Sequence, residues 1–178
     1  MPGTRLLLIT GLPGSGKTTL AQRLAERYGI VFLSKDLIKE PLLDVIGAAD
    51  DVAHSRLLST ASFAVLFAIA RRIAAAKLDV ILEGNFRPGE HEKALIAIEA
   101  SRLAQVLCRA PESLRLARLA ARKAARHAGH RDLDPAVIAQ RSADEFLTLP
   151  GERLTFDSGE TAIAGQLDAL DQWWRKSQ

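Results

Sequence analysis

A glycine-rich segment near the start of the chain constrains its fold more than any other feature. Residues 11–18 read Gly-Leu-Pro-Gly-Ser-Gly-Lys-Thr, which is the pattern G-x-x-x-x-G-K-T. An apolar run over 5–10 precedes this segment, and an amphipathic run over 17–28 follows it. Because glycines permit a sharp turn between a buried strand and a helix, the pattern predicts a strand–loop–helix unit of a parallel sheet.

The same loop predicts a phosphate-binding site. Successive backbone N–H groups of such a loop face a polyphosphate, and the N-terminal end of the following helix adds positive potential. We expect Lys17 to reach the β- and γ-phosphates of a nucleotide and Thr18 to ligate Mg²⁺. An ordinary glycine-rich turn would explain the glycines but not the adjacent Lys-Thr pair. The other residues predicted to bind nucleotide are Gly11, Pro13, Gly14, Ser15, Gly16 and Thr19.

Short apolar runs alternate with longer amphipathic runs along the chain, which is typical of a three-layer α/β/α fold with a parallel sheet. We expect one domain over 1–178. The predicted strands are 5–10, 30–33, 79–83, 103–108 and 153–156. The predicted helices are 17–28, 36–47, 51–76, 89–101, 112–127, 135–146 and 160–176. Because parallel crossovers are right-handed, the carboxyl ends of the strands share one edge, where ligands bind.

The composition supports a single globular domain and limits its partners. The chain is 48% hydrophobic and 25% charged, and its one cysteine, Cys108, excludes a disulfide framework and favours a cytoplasmic location. The net charge of +3 is too small to imply nucleic acid by itself. The most apolar stretch, Ala61–Ala70, is about half as long as a bilayer span, so we expect no membrane segment. The sequence is compatible with a monomer or a dimer.

An acidic residue follows the second predicted strand. The sequence Ser34-Lys35-Asp36 places the Asp36 carboxylate at the start of the next helix, on the ligand-binding edge. There it can accept the proton of a substrate hydroxyl as a general base. Alternatively, Ser34 or Asp36 caps the helix by accepting backbone N–H groups. The spacing leaves both interpretations open.

The third predicted strand also ends in an acid. Glu83 follows an apolar run, an arrangement in which a carboxylate holds Mg²⁺ directly or through water. Gly84 would then turn the backbone so that Asn85 and Arg87 face the cleft and bind substrate. The alternative is a polar loop in which Arg87 forms an ion pair with Glu83.

Arginines repeat along the predicted helix after residue 111. Arg115, Arg118, Arg122 and Arg126 fall within about 80° of one another on a helix, because each residue advances by about 100°. Such a row of like charges does not stabilise the helix by itself, whereas a bound phosphate would neutralise the charge. We expect Arg118 and Arg122 to contact the transferred phosphate from a helical lid over about 115–134. A solvated face or an RNA-contacting surface would show the same pattern.

These residues together resemble the small P-loop kinases that share an adenylate-kinase-like sheet. That group includes gluconate kinase, chloramphenicol phosphotransferase, the zeta-toxin kinases and the phage polynucleotide 5′-kinase. Residues 81–87, Ile-Leu-Glu-Gly-Asn-Phe-Arg, are similar to the zeta-type stretch I-I-E-G-T-L-R, with departures at Asn85 and Phe86. Residues 111–122 are similar to the lid helix p-e-x-x-x-x-x-R-x-x-x-R of the broader group.

The resemblance implies a P-loop NTPase fold with strand order 2-3-1-4-5 and ATP with Mg²⁺ as the phosphate donor. It also implies that Asp36 is the base and that the loop around Asp157 and Ser158 helps to hold adenine. Residues 37–60 should form the acceptor pocket, but they match no single member of the group. The resemblance therefore leaves the acceptor open.

Three functions remain compatible with the sequence. The first is an ATP-dependent kinase that phosphorylates a hydroxyl of a small-molecule acceptor. The second is a polynucleotide 5′-hydroxyl kinase, although the acceptor side offers only Lys35, Lys39 and Arg87 as a basic channel. The third is a non-catalytic ATP-binding regulatory protein in which the nucleotide switches the lid.

The remaining conspicuous side chains receive no chemical role. We interpret Cys108 as a core residue at the end of a strand, and we expect Trp173 and Trp174 to dock the final helix. His54 and His91 have no partner pattern. His127 and His130 are expected on the surface or in the lid, without a metal, because no further ligand is spaced nearby.

Overall fold

The computed structural model describes residues 3–47, 52–122, 145–159 and 163–176. The strands within these ranges are β1 (Arg5–Gly11), β2 (Val31–Ser34), β3 (Val80–Glu83), β4 (Arg102–Arg109) and β5 (Glu152–Asp157). The helices are α1 (Lys17–Tyr28), α2 (Lys35–Ile46), α3 (Val52–Ala75), α4 (Glu92–Ile96), α5 (Glu112–Arg122) and α6 (Ile163–Arg175).

The five strands form one parallel sheet in the order β2-β3-β1-β4-β5, as predicted. The register aligns the strand ends that carry candidate site residues. Ser34 pairs with Glu83 across β2 and β3, and Gly11 pairs with Cys108 across β1 and β4. The phosphate-binding loop and both predicted acidic positions therefore leave the sheet at the same edge.

The sheet is covered on both faces, because alternate residues of β1 enter two different cores. Leu6 and Leu8 pack with apolar residues of α3 and α4, whereas Leu7 and Ile9 pack with those of α1 and α6. All four leucine and isoleucine side chains are buried. This alternation produces the predicted three-layer α/β/α arrangement.

The long helix α3 is apolar along most of its length. Its segment Ala53–Ala75, 23 residues, is long and apolar enough to cross a membrane by length and composition alone. The expectation based on Ala61–Ala70 considered only the central part of this segment. One side of α3 packs against the sheet through Phe63, Leu66 and Phe67, as a core helix does.

The final helix docks onto the sheet through both tryptophans, as predicted. Trp173 is 2% exposed and Trp174 is 9% exposed. The Trp174 ring stacks on Tyr28, with centroids 4.4 Å apart, and the Arg5 guanidinium lies 3.8 Å from the Trp174 ring centroid. Cys108 is fully buried, which confirms it as a core residue, and burial raises the pKa of its thiol to about 12.

Two predicted helices differ in the structure. The helix expected over 89–101 is shortened to α4, because Gly89 and Glu99 adopt left-handed backbone conformations on either side of it. Most of the helix expected over 135–146 lies outside the described residues, and its last two residues are not helical.

The predicted lid is described only through Arg122, where α5 ends. Its remainder, 123–134, lies outside the described residues. That remainder includes Arg126, His127 and His130. Their predicted roles therefore stay predictions.

Candidate active site

The phosphate-binding loop is held by glycines that no other residue could replace without strain. Gly14 has a φ of 80°, and a Cβ there would lie 2.7 Å from the Arg115 carbonyl oxygen. Gly16, at a φ of 90°, precedes the first turn of α1. Because left-handed backbone and close backbone approach both exclude a side chain, the loop keeps the open shape that a phosphate chain requires.

Lys17 spans this loop from the first turn of α1. Its Nζ donates a hydrogen bond to the Leu12 carbonyl oxygen at 3.0 Å. The ammonium group is therefore held at the loop from which it was predicted to reach the β- and γ-phosphates.

The side chain of Ser15 faces the inside of the loop. It is fully buried, and its hydroxyl has no hydrogen-bond partner among the described residues. A Cβ on Gly11 would lie 3.0 Å from this hydroxyl oxygen, so the side chain points towards Gly11. The Ser15 backbone N–H donates to the Leu12 carbonyl oxygen at 3.2 Å, which tightens the turn of the loop.

Thr18 and Glu83 form the candidate metal site. The Thr18 hydroxyl lies 3.4 Å from Oε2 of Glu83, across the gap between α1 and the end of β3. Glu83 is 5% exposed, and its Oε2 also accepts a hydrogen bond from Ser34 at 2.7 Å. A hydroxyl and a carboxylate are hard oxygen ligands, so this pair fits Mg²⁺.

Arg87 forms no ion pair with Glu83. The alternative interpretation, a polar loop in which these two side chains pair, therefore does not apply. The Arg87 guanidinium instead contacts Glu90, at 3.1 Å between Nη1 and Oε2. The Glu83 carboxylate is therefore directed to the hydroxyls of Thr18 and Ser34.

Asp36 lies in the first turn of α2, with its carboxylate at the surface. The Asp36 backbone N–H donates to the Ser34 hydroxyl at 3.2 Å, so Ser34 caps the helix. The Asp36 side chain is 55% exposed and forms an ion pair with Lys35 at 2.8 Å. Since the cap role belongs to Ser34, the Asp36 carboxylate is left accessible to a substrate hydroxyl.

The loop that follows β3 is anchored by His91, to which the sequence analysis assigned no role. Nδ1 of His91 accepts the Arg87 backbone N–H at 2.8 Å. The His91 ring is buried against Phe63, with centroids 4.3 Å apart, and Phe86 is also buried. Burial lowers the pKa of His91, which keeps Nδ1 an acceptor. No motif could have identified this residue, because its partner is a backbone amide.

The arginine stripe divides into two parts. Arg115 is 9% exposed, and its Nη1 lies 3.4 Å from the Pro13 carbonyl oxygen. Arg118 donates from Nη1 to the Gly14 carbonyl oxygen at 3.1 Å and to the Ser158 hydroxyl at 2.7 Å. These two arginines support the loop from behind, whereas Arg122 is exposed at the end of α5.

Ser158 was expected, with Asp157, in the loop that helps to hold adenine, but its contacts with Arg118 and the phosphate-binding loop were not predicted. Besides accepting from Arg118, its hydroxyl lies 2.8 Å from the Ser15 carbonyl oxygen, to which it donates. It thereby connects the segment after β5 to the phosphate-binding loop. Only the position of Ser158 directly after Asp157 signalled a site residue.

A cavity of about 300 Å³ opens beside the loop at the carboxyl ends of β4 and β5. Asp157, predicted near the adenine, lies in its wall, and its Oδ1 accepts the Gly159 N–H at 2.8 Å. The full lining is Leu12, Cys108, Arg109, Ala110, Pro111, Arg115 and Asp157.

Known proteins are similar in sequence to most of this chain. Uncharacterized proteins of Mycobacterium bovis and Mycobacterium tuberculosis are 32% identical over 152 residues, or 79% of this chain. The chain spans only 30% of the length of these curated relatives.

Solved structures share the fold. A structure from Chloroflexus aurantiacus, provisionally assigned as a kinase, is 31% identical, with a TM-score of 0.85 and coverage of 99% of this chain and 98% of that chain. The Mycobacterium tuberculosis APS kinase, solved with AMPPNP and APS, is 19% identical, with a TM-score of 0.57 and coverage of 98% and 99%. The latter likeness concerns the fold alone.

A family model described as an AAA domain, AAA_33, matches residues 6–144, a range that contains the phosphate-binding loop, Asp36, Glu83 and Arg118. The chain therefore belongs to the AAA_33 family and has the fold of the small P-loop kinases.

Proposed function

We propose that this chain is an ATP-dependent phosphotransferase that moves the γ-phosphate to a hydroxyl group of a small-molecule acceptor. One observation carries the proposal. A continuous set of contacts joins the Thr18 hydroxyl, the Glu83 carboxylate, the Ser34 hydroxyl and the Asp36 backbone N–H at the carboxyl edge of the sheet. These contacts support a site in which the phosphate-binding loop, the candidate metal ligand Glu83 and the candidate base Asp36 act together.

The donor side of the site would bind and orient the nucleotide. The loop amides and Lys17 would neutralise the phosphate chain, and Thr18 and Glu83 would hold Mg²⁺. When bound, Mg²⁺ supplies positive charge that stabilises the phosphate oxygens during transfer. The cavity beside Asp157 offers apolar walls and a carboxylate to the base of the nucleotide.

The acceptor side would supply the proton transfer. Asp36 would accept the proton of the acceptor hydroxyl as the new bond to phosphorus forms. Asn85 is half-buried directly after Gly84, and Arg87 is fixed by His91, so both would orient the acceptor. Arg122, exposed at the end of α5, would stabilise charge on the transferred group.

The acceptor is proposed only as a class. The APS kinase that shares this fold was solved with AMPPNP and APS. For this chain we propose a small-molecule hydroxyl acceptor whose identity is left open. A cytoplasmic site of action and a monomeric or dimeric state complete the proposal.

The proposal is tested by measuring ADP formation with ATP-Mg²⁺ and a panel of acceptors. The panel contains sugars, nucleosides, antibiotics, sugar nucleotides and a 5′-hydroxyl oligonucleotide. Once an acceptor is found, Asp36→Asn should lower kcat about 10²–10⁴-fold, because the base is lost while nucleotide binding remains. Asp44→Asn, on the exposed side of the same helix, is the matched control.

Three results would contradict the proposal. An Asp36→Asn protein with full activity would remove the assigned base. A protein that is stabilised by ATP-Mg²⁺ but transfers phosphate to no acceptor would favour the regulatory alternative. Activity confined to the oligonucleotide, with a steep dependence on salt, would instead indicate the polynucleotide kinase.

A further inference from the structure

Ser34 lies between the two carboxylates that the proposed function uses. It is the last residue of β2 and is paired in register with Glu83 at the end of β3. The Ser34 side chain is buried, and the residue is 3% exposed. It nevertheless belongs to neither predicted role, since it is neither the base nor a metal ligand.

The Ser34 hydroxyl uses both its donor and an acceptor site. It donates to Oε2 of Glu83 at 2.7 Å and accepts the Asp36 backbone N–H at 3.2 Å. A hydroxyl has only one proton, so with the proton directed to Glu83 the oxygen is free to receive the amide. One side chain thus fixes the metal-site carboxylate and the first turn of the helix that carries Asp36.

The geometry points to Ser34 as a positioning residue that sets the Glu83 carboxylate for Mg²⁺ and the start of α2 for proton transfer. This inference rests on the proposed function, because it assumes that Glu83 serves the metal and Asp36 the acceptor. It adds a residue that couples the donor and acceptor sides of the site.

The hydrogen bond from Ser34 constrains the Glu83 carboxylate more strongly than the contact from Thr18 does. The Thr18 hydroxyl lies 3.4 Å from the same Oε2 atom, which is beyond the usual range for a hydroxyl–carboxylate hydrogen bond. The bond from Ser34, at 2.7 Å, is of normal length for a hydroxyl donor. Removing Ser34 would leave the buried Glu83 carboxylate without its short donor and free to rotate away from Thr18.

A purely structural role of Ser34 predicts a different result when its hydroxyl is removed. As an N-cap, Ser34 would stabilise α2, and its loss would lower stability without changing how the protein responds to Mg²⁺. Metal dependence of nucleotide binding therefore separates positioning from capping.

The experiment measures ADP binding calorimetrically, with and without Mg²⁺, in the full chain. Ser34→Ala removes the hydroxyl, and Ser34→Cys replaces it with a weak donor of similar shape, in case the alanine variant fails to fold. Ser34→Thr retains the hydroxyl. Ser62→Ala is the matched control, because Ser62 is also buried and its hydroxyl donates to the Leu58 carbonyl oxygen of its own helix, at 2.6 Å.

We expect Ser34→Ala and Ser34→Cys to lose at least fivefold of the Mg²⁺-dependent gain in ADP affinity, while metal-free ADP binding changes less than twofold. Ser34→Thr and Ser62→Ala should retain the wild-type gain. With an identified acceptor, kcat of the two hydroxyl-deficient variants should fall about tenfold, since the base-bearing helix is also displaced.

The inference is overturned if both hydroxyl-deficient variants keep the wild-type response to Mg²⁺. It is equally overturned if the wild-type protein binds ADP with the same affinity in the presence and absence of Mg²⁺. Failure of the proposed function is a separate result, because absence of phosphate transfer to every acceptor would remove the role of Ser34 in proton transfer but leave its role at the metal site, which the binding measurements test.

Discussion

Arg118 joins the phosphate-binding loop to the segment after β5 through Ser158. Its Nη1 lies 2.7 Å from the Ser158 hydroxyl oxygen, and its Nη2 donates to the Ser158 carbonyl oxygen at 3.0 Å. The same Nη1 donates to the Gly14 carbonyl oxygen at 3.1 Å. Arg118 was predicted as a phosphate contact, and these bonds give it a structural task before any nucleotide binds.

Replacing Arg118 by alanine should therefore weaken both the protein and its nucleotide site. Loss of charge-assisted hydrogen bonds to partly buried acceptors should cost about 2 kcal/mol of unfolding free energy. ADP affinity should fall about tenfold, because the loop loses its support at Gly14. Denaturant unfolding without nucleotide, together with ADP titration, measures the two effects.

Arg71→Ala provides the control for Arg118→Ala, since Arg71 is exposed on α3. Its unfolding free energy and ADP affinity should remain near wild type. If Arg118→Ala lowers ADP affinity but leaves the nucleotide-free protein fully stable, Arg118 acts only as a phosphate contact and not as a support for the loop.

Gly14 should tolerate no side chain. An added Cβ would meet the Arg115 carbonyl oxygen at 2.7 Å, and φ is 80°. Gly14→Ala should therefore lower ADP affinity at least tenfold by displacing the loop, and it should destabilise the protein by more than the roughly 1–2 kcal/mol of left-handed strain. Calorimetric titration and chemical denaturation measure these changes.

An alanine variant at Gly29 separates the effect of left-handed backbone strain from the effect of a steric clash of the added Cβ. Gly29 has a φ of 65°, with nothing within 4 Å of an added Cβ. Gly29→Ala should show only the left-handed strain and keep wild-type ADP affinity. Equal effects of the two alanine variants on ADP binding would argue against a specific role of Gly14.

The sequence was sufficient for the parts of the fold that depend on local patterns. Apolar strands and amphipathic helices led to the correct strand order once the resemblance to P-loop kinases was added. The short helix α4 was predicted too long, because left-handed backbone at Glu99 is not visible in an amphipathic pattern.

The contacts within the site were less accessible to sequence reasoning, because they join residues that the sequence pattern does not connect. His91 binds a backbone amide, and Ser158 connects to a loop 143 residues earlier in the chain. Arg115 shares the predicted stripe with Arg118 and Arg122, yet it is buried against the loop. Periodicity assigns a residue to a helix face but does not show what packs against that face.

His91 should make stability depend on pH. Burial is the main cause that lowers the pKa of His91, and Arg87 lowers it further, whereas Glu90 and Glu92 act in the opposite direction. The unfolded chain then binds a proton at a higher pH than the native protein does. Stability from this group is therefore present above about pH 6.5, the ordinary pKa of histidine, and is lost as the pH falls below it.

The expected slope from His91 is at most about 1.4 kcal/mol per pH unit. Unfolding free energies measured between pH 8 and pH 5 for the wild type and for His91→Asn test this, because asparagine retains an acceptor but does not titrate. His54→Asn is the control. If the wild type and His91→Asn show the same slope below pH 6.5, His91 does not carry the dependence.

Replacing Trp174 tests whether its ring docks the final helix or contacts a ligand. Its ring is held between Tyr28 and Arg5, the first residue of β1, and so lies at the edge of the sheet opposite the phosphate-binding loop. Trp174→Ala should lower the unfolding free energy by about 3 kcal/mol, measured by circular dichroism in urea, because a buried aromatic side chain is removed. Val45→Ala, at a side chain that is 86% exposed, should change it by less than about 0.5 kcal/mol. ADP affinity of the folded Trp174→Ala protein should stay at the wild-type value, and a large loss of affinity with little loss of stability would instead indicate that the ring contacts the nucleotide.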